Sequence, residues 1–151
     1  MFLEIERKFL VSGFSTEGLR YKKMKQAYLA KDGCTVRVRI ADNKAFLTIK
    51  GKTSGFSRAE FEYEIPIDEA LEMMNLAIYP PVIKTRYYAK VDGKTWEVDV
   101  FEGENEGLVM AEIELSSEEE EFTMPEWATE EVTGDKRYYN SYLAENPYKS
   151  W

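Results

Sequence analysis

At 151 residues, 44% hydrophobic and 14% aromatic, the chain is long enough for one domain (1–151) with its own core and too apolar to remain disordered. Twenty-eight acidic against twenty basic side chains give a net charge of −8, which excludes bulk attraction to nucleic acid or an anionic membrane as the main activity. With no histidine and one cysteine, the chain can have no imidazole base, no Cys/His metal site and no internal disulfide, and a reducing cytoplasm fits best.

The N-terminal run MFLEIERKFLV is interrupted at once by Glu4 and Glu6, so it lacks the apolar stretch of a signal peptide, and nothing later approaches membrane-spanning length. With the period of a strand, Glu4, Glu6 and Lys8 project from one face, and Leu3, Ile5 and Phe9 from the other. Ser12 to Lys25 reads as a loop or short turn, followed by a strand over 25–30. Asp32-Gly33 signals a hairpin into 34–40, where Arg37 and Arg39 share a face opposite Val36, Val38 and Ile40. Asp42-Asn43 turns the chain back into 44–52, which puts Thr48, Lys50 and Lys52 together.

After a small-residue loop at 53–57, a strand over 58–65 groups Glu60, Glu62 and Glu64. Residues 68–76 carry apolar side chains at helical spacing behind Asp68, and Pro80-Pro81 ends that unit. The strand at 82–88 groups Lys84, Arg86 and Tyr88; past a second hairpin signal, Asp92-Gly93, the strand at 95–101 pairs Glu97 with Asp99. Glu112 and Glu114 share a face of 109–115. Ser117 is expected to cap a helical start over Glu118–Phe122, and Asp135 to open a helix from Lys136 to about Glu145. The total is about eight strands, mostly joined by short turns, with few helices: a mostly β, α+β chain.

A half-exposed sheet has one polar face because that face meets water. Here the polar faces are dense in charge on strand after strand while the opposite faces are large and aromatic, a pattern suited to an eight-stranded sheet closed into a barrel around a charged interior. Such an interior is costly unless ligands complete it. Lys8, Arg37, Arg39, Lys50, Lys52, Lys84 and Arg86 suit an extended polyanion, the arginine forks suiting phosphate oxygens in particular. Carboxylate pairs on the first and last strands offer hard oxygen ligands to Mg²⁺ or Mn²⁺. Polyphosphate with a divalent cation uses both sets. A nucleotide-binding P-loop is excluded: Gly51-Lys52-Thr53 resembles its end, but Phe46 stands where the first glycine is required.

These residues resemble the CYTH, or triphosphate tunnel metalloenzyme, superfamily. Its Glu-x-Glu-x-Lys signature appears as Glu4, Glu6 and Lys8. The likeness continues through Arg37-Val38-Arg39, Thr48-Ile49-Lys50, Glu60-x-Glu62-x-Glu64, Lys84-Thr85-Arg86-Tyr87, Glu97-x-Asp99, Glu112-x-Glu114 and Asp135-Lys136-Arg137-Tyr138. The resemblance implies a closed tunnel of eight antiparallel strands, hydrolysis of inorganic tripolyphosphate to pyrophosphate and phosphate, and a homodimer. It implies a metal at Glu4, Glu6 and Glu114, with Glu112 in or next to that shell; Glu62 is a further candidate ligand whose alternative role, with Glu60 and Glu64, is to balance the interior cations. It also implies phosphate contacts from the cations above together with Lys136. Water activation is open between a second metal, a glutamate and a lysine of lowered pKa; Lys84 is the lysine candidate, with Tyr28 as its neighbour by resemblance. The competing activities are an organic triphosphate enzyme (a thiamine or nucleoside triphosphatase, or an adenylate cyclase) and a polyphosphate-binding protein without turnover.

Overall fold

The structure is a computed structural model that describes residues 2–151. Its strands are β1 (Phe2–Val11), β2 (Arg20–Ala30), β3 (Thr35–Ala41), β4 (Lys44–Lys50), β5 (Ser57–Ile65), β6 (Val82–Val91), β7 (Lys94–Phe101), β8 (Val109–Glu114) and β9 (Ala128–Glu131). The first eight form a ring in the order β5-β4-β3-β2-β6-β7-β8-β1, closed by β1 against β5, with every pairing antiparallel. Closure removes the sheet edges that an open sheet would expose. The ninth strand, which the sequence pattern does not announce, pairs with β1 where β5 leaves it.

Hairpin chemistry sets the register. Asp92 and Gly93 both take positive φ, 51° and 80°, the turn that matches the twist of β6 into β7. β2 starts at Arg20, five residues earlier than its alternation suggests, because the pairs from Arg20 with Tyr88 to Met24 with Lys84 extend its ladder with β6. The Arg20 guanidinium lies 4.3 Å from the Tyr88 ring centroid.

Most apolar side chains face outward, and many are covered from outside, although Phe61 and Tyr63 of β5 stay exposed. Helix α1 (Ile67–Met74) lies over Val38, Ala45 and Leu47 of β3 and β4. The expected helix after Ser117 is absent; that stretch makes one turn, Glu120 N–H to Ser117 C=O at 3.2 Å, and then runs on irregularly. The acids of that run are satisfied without a helix. Glu120 accepts from the Ser116 N–H and hydroxyl, both at 2.6 Å, and its other oxygen lies 2.6 Å from Lys94. The extended course lets Phe122 and Trp127 pack edge-on against the fully buried Trp96, each with centroids 5.6 Å apart. Aromatics of this size each bury about 150–250 Å², so a segment without regular structure still contributes much of the cover.

One end of the barrel is stoppered. Inward side chains Tyr28, Val82, Phe101 and Met110 form an apolar cluster with Val132, Tyr138, Leu143 and Ala144 of the C-terminal segment. The helix expected over 136–145 is broken in two. Lys136–Tyr138 is a 3-10 turn whose start Asp135 caps, accepting from the Arg137 N–H at 3.1 Å. Tyr139 then takes extended angles (φ −74°, ψ 138°) and α2 (Asn140–Glu145) follows. The break turns both Tyr139 and Asn140 toward the barrel interior, where they join its lining. Among the described residues no helix is long and apolar enough to cross a membrane.

Candidate active site

Period-two alternation carries through all eight strands of the ring and aims the charged faces inward. They enclose a cavity of about 190 Å³ lined by seven acids and seven bases: Glu4, Glu6, Glu60, Glu62, Glu97, Glu112 and Glu114; Lys8, Arg37, Arg39, Lys50, Arg58, Lys84 and Arg86. Tyr28 lines it too, its ring packed in the apolar stopper. Two of the basic residues singled out in the sequence are elsewhere. Lys52 and Lys136 are exposed and line an adjoining cavity of about 470 Å³ that shares Thr35, Arg58, Tyr139 and Ser141 with the first. Alternation cannot be extended to Lys52 because β4 ends at Lys50 and a tight Ser54–Ser57 turn follows.

The acids concentrate on β1, β5 and β8. Glu4 is burdened by burial, but Lys50 Nζ at 2.9 and 3.1 Å and Arg58 Nε at 3.2 Å keep it ionised, and its pKa falls to about 2. Glu6 behaves oppositely: burial, then the neighbouring Glu112 and Glu4 carboxylates, push it up to about 8. Against its own burial, Glu112 is held well below the usual carboxylate range by Lys8, whose Nζ is 3.5 Å away, and by Arg86. Glu114 is more open and is raised by its partial burial and by Glu4. Glu62 stands apart from this group, accepting from Thr48 Oγ1 at 2.9 Å, with Arg37 Nη2 at 3.8 Å.

The bases dominate β3 and β6. Arg86 grips both oxygens of the buried Asp99 at 2.7 and 2.9 Å, and Lys84 reaches the same carboxylate at 2.7 Å. Burial, with Arg86 and Arg39 nearby, outweighs Asp99 and drops Lys84 to about 7. Arg39 has no carboxylate within ion-pair distance among the described residues. Burial beside Arg37 and Arg86 lowers it to about 9. Arg37 keeps a buried Nε that has no hydrogen-bond partner. The cavity therefore holds guanidinium groups with unmet donor capacity and, a few strands away, a carboxyl that burial and two neighbouring carboxylates push toward its neutral form.

Glu4, Glu6, Glu60, Glu112 and Glu114 are the hard oxygen donors that Mg²⁺ or Mn²⁺ prefers, and the reluctance of Glu6 to ionise marks where positive charge is needed. They fit a divalent cation by chemistry. Among the described residues no three acidic side chains are drawn close enough to hold one as they stand.

Several lining residues escape the sequence reading. Arg58, the second residue of β5, lies on the same face as Glu60 and Glu62, so the period-two rule contains it. Asn140 and Tyr139 had no such signal, since they come from the broken C-terminal segment.

Comparison with known proteins agrees with this architecture. The CYTH domain family matches residues 3–140. An inorganic triphosphatase of Acetivibrio thermocellus is 49% identical over 156 residues, covering 98% of this chain and 97% of that protein. One from Nitrosomonas europaea is 39% identical, covering 93% and 96%. A crystal structure of an inorganic triphosphatase superposes with a TM-score of 0.69 at 37% identity, over 93% of this chain and 96% of that one. With the family model matched over residues 3–140 and relatives matched nearly end to end, the chain belongs to the CYTH domain family.

Proposed function

We propose that this protein hydrolyses inorganic tripolyphosphate to pyrophosphate and phosphate, with a divalent cation, Mg²⁺ or Mn²⁺, held by Glu4, Glu6, Glu112 and Glu114. The observation that carries the reading is the paired deficit inside one cavity: the buried Arg37 Nε has no partner and Arg39 no carboxylate at ion-pair distance, while Glu6 is pushed toward its neutral form beside Glu112 and Glu4. A metal-complexed chain of phosphates supplies both. The names of the relatives support the same substrate.

In this reading Arg37, Arg39, Arg86 and Lys50 bind the phosphate oxygens and fix the terminal phosphorus for in-line attack. Lys84, neutral above about pH 7, takes a proton from the attacking water. The water oxygen bonds to phosphorus as the bridging P–O bond breaks, and pyrophosphate departs with that bond's electron pair. The arginines meet the charge that develops on the transferred group and on the leaving oxygen. Tyr28 borders the same space. The cation, when bound, contributes charge neutralisation on the phosphate oxygens. Glu62, with its contacts to Thr48 and Arg37, orients a phosphate-binding guanidinium. The rim cations Lys52 and Lys136 guide the substrate at the adjoining cavity. A reducing, cytoplasmic site of action belongs to this reading, supported by the one exposed and unpaired thiol, Cys34.

Phosphate release measured with tripolyphosphate, ATP and thiamine triphosphate, each with Mg²⁺ and with chelator, is the direct test. Preference for tripolyphosphate and silence under chelation are expected; faster turnover of either organic triphosphate, or binding without turnover, would overturn it. For Arg39→Ala, losing a charge-assisted bond of about 1.5–3 kcal/mol should raise KM roughly 10- to 100-fold in steady-state assays. An unchanged KM would remove Arg39 from the phosphate site.

A further inference from the structure

Two amides, one fully buried and one half-buried, connect the phosphate-binding strands to the C-terminal stopper. Gln26 on β2 is fully buried and Asn140 opens α2. Gln26 Oε1 accepts from Arg39 Nε at 2.8 Å, and Gln26 Nε2 donates to Asn140 Oδ1 at 2.9 Å. Asn140 Oδ1 accepts a second hydrogen bond, from Lys84 Nζ at 2.9 Å. Guanidinium and ammonium groups have donors only, so the two ends of this chain fix both amides. Gln26 must turn its carbonyl to Arg39, which leaves its NH₂ for Asn140. Asn140 must then turn its carbonyl to both neighbours. Flipping either amide sets donor against donor.

We propose that Asn140 is a positioning residue for the hydrolysis, a neutral acceptor clamped by Gln26 that orients Lys84 toward the attacking water. This rests on the reading of Lys84 as the base. Asp99 Oδ2 at 2.7 Å takes one N–H of Lys84 and Asn140 takes another. The remaining tetrahedral position of the nitrogen is left for the cavity that Lys84 lines, and in the neutral amine that position is the lone pair. Neutrality of the acceptor matters as much as its place. The charged groups around Lys84 are Asp99 on β7, Arg86 on its own strand, Arg39 on β3 and Glu112 on β8, and the Phe101 ring is 5.4 Å away. A second carboxylate beside the amine would hold the proton on it.

The test compares Asn140→Asp, Asn140→Ala and Gln26→Ala with Lys84→Met, recording kcat and KM from pH 5.5 to 10 and melting by circular dichroism. Asn140→Asp should move the acid limb of kcat upward by at least one pH unit and regain the wild-type rate above it. Asn140→Ala should lose about tenfold in kcat at every pH, with a smaller change in KM. Gln26→Ala should lower kcat similarly and also raise KM through Arg39. If Asn140→Ala fails to fold, the nearly isosteric Asn140→Asp still reads the limb. Changes in melting alone, with the wild-type limb and kcat kept, refute positioning. If Lys84→Met keeps both rate and limb, the base assignment falls and takes the proposal with it. If Lys84→Met loses them while the Asn140 variants keep them, the base stands and only the role of Asn140 is refuted.

Discussion

Replacing Glu6 with glutamine is expected to lower kcat about 10³-fold while raising stability at pH 8. The loss follows from removing a hard oxygen donor from the site of positive charge, since a catalytic cation contributes several kcal/mol to the transition state and each ~1.4 kcal/mol is tenfold in rate. The gain has the opposite origin. In the folded chain Glu6 titrates near 8 rather than 4.5, because burial, Glu112 and Glu4 penalise its anion. A group whose folded pKa is raised contributes its full stability below the unfolded value and loses it as pH climbs through the folded one. Between about 4.5 and 8, the unfolded chain therefore sheds a proton that the native site keeps, and metal-free stability declines. Glutamine keeps the neutral form at every pH. Metal-free melting should show the variant ahead by roughly 1–3 kcal/mol at pH 8, with the gap closing toward pH 5. Wild-type turnover in the variant would take Glu6 out of the catalytic shell, and parallel melting curves at all pH would contradict its raised pKa.

Replacing Lys84 is expected to remove about 10²- to 10⁴-fold from kcat, the usual contribution of a positioned general base. The group is buried and its pKa is lowered to about 7, so the wild-type rate should rise with pH through that value and then level off. Lys84→Met should abolish both the rate and the rise. Lys84→Arg separates two roles, because a guanidinium keeps the positive charge for phosphate but cannot accept a proton from water near neutrality. It should hold KM close to wild type and leave kcat low. If Lys84→Arg turns over normally, Lys84 is an electrostatic contact and water must be activated by another group.

Both predictions depend on residues that the sequence already placed on inward faces. A charged lumen inside an apolar shell forces alternation on every strand, so eight strands, their hairpins and the positions of Glu6, Arg39, Lys84 and Glu114 are visible from periodicity. What lacks periodicity was hidden. Phe122 and Trp127 are ordered by packing on Trp96, and the acidic run before them resembles a helix start only when its tertiary partners are ignored. The alternation of β4 does not reach Lys52, because the strand ends at Lys50. The break at Tyr139 sets Asn140 against Lys84 and Gln26 through long-range bonds that no local propensity encodes. The residues that complete the site from the C-terminal side are therefore the ones a linear reading leaves out.

The cavity beside the stopper, with exposed Lys52 and Lys136 on its border, bears on how an acidic protein captures an acidic ligand. At physiological ionic strength, fields between exposed charges fade over about 8 Å. An approaching polyphosphate is therefore blind to most of the −8 carried by the whole molecule and registers only the side chains at the doorway it reaches. Attraction acts over the last nanometre of the encounter, and the isoelectric point of such a protein says little about the sign of what it admits.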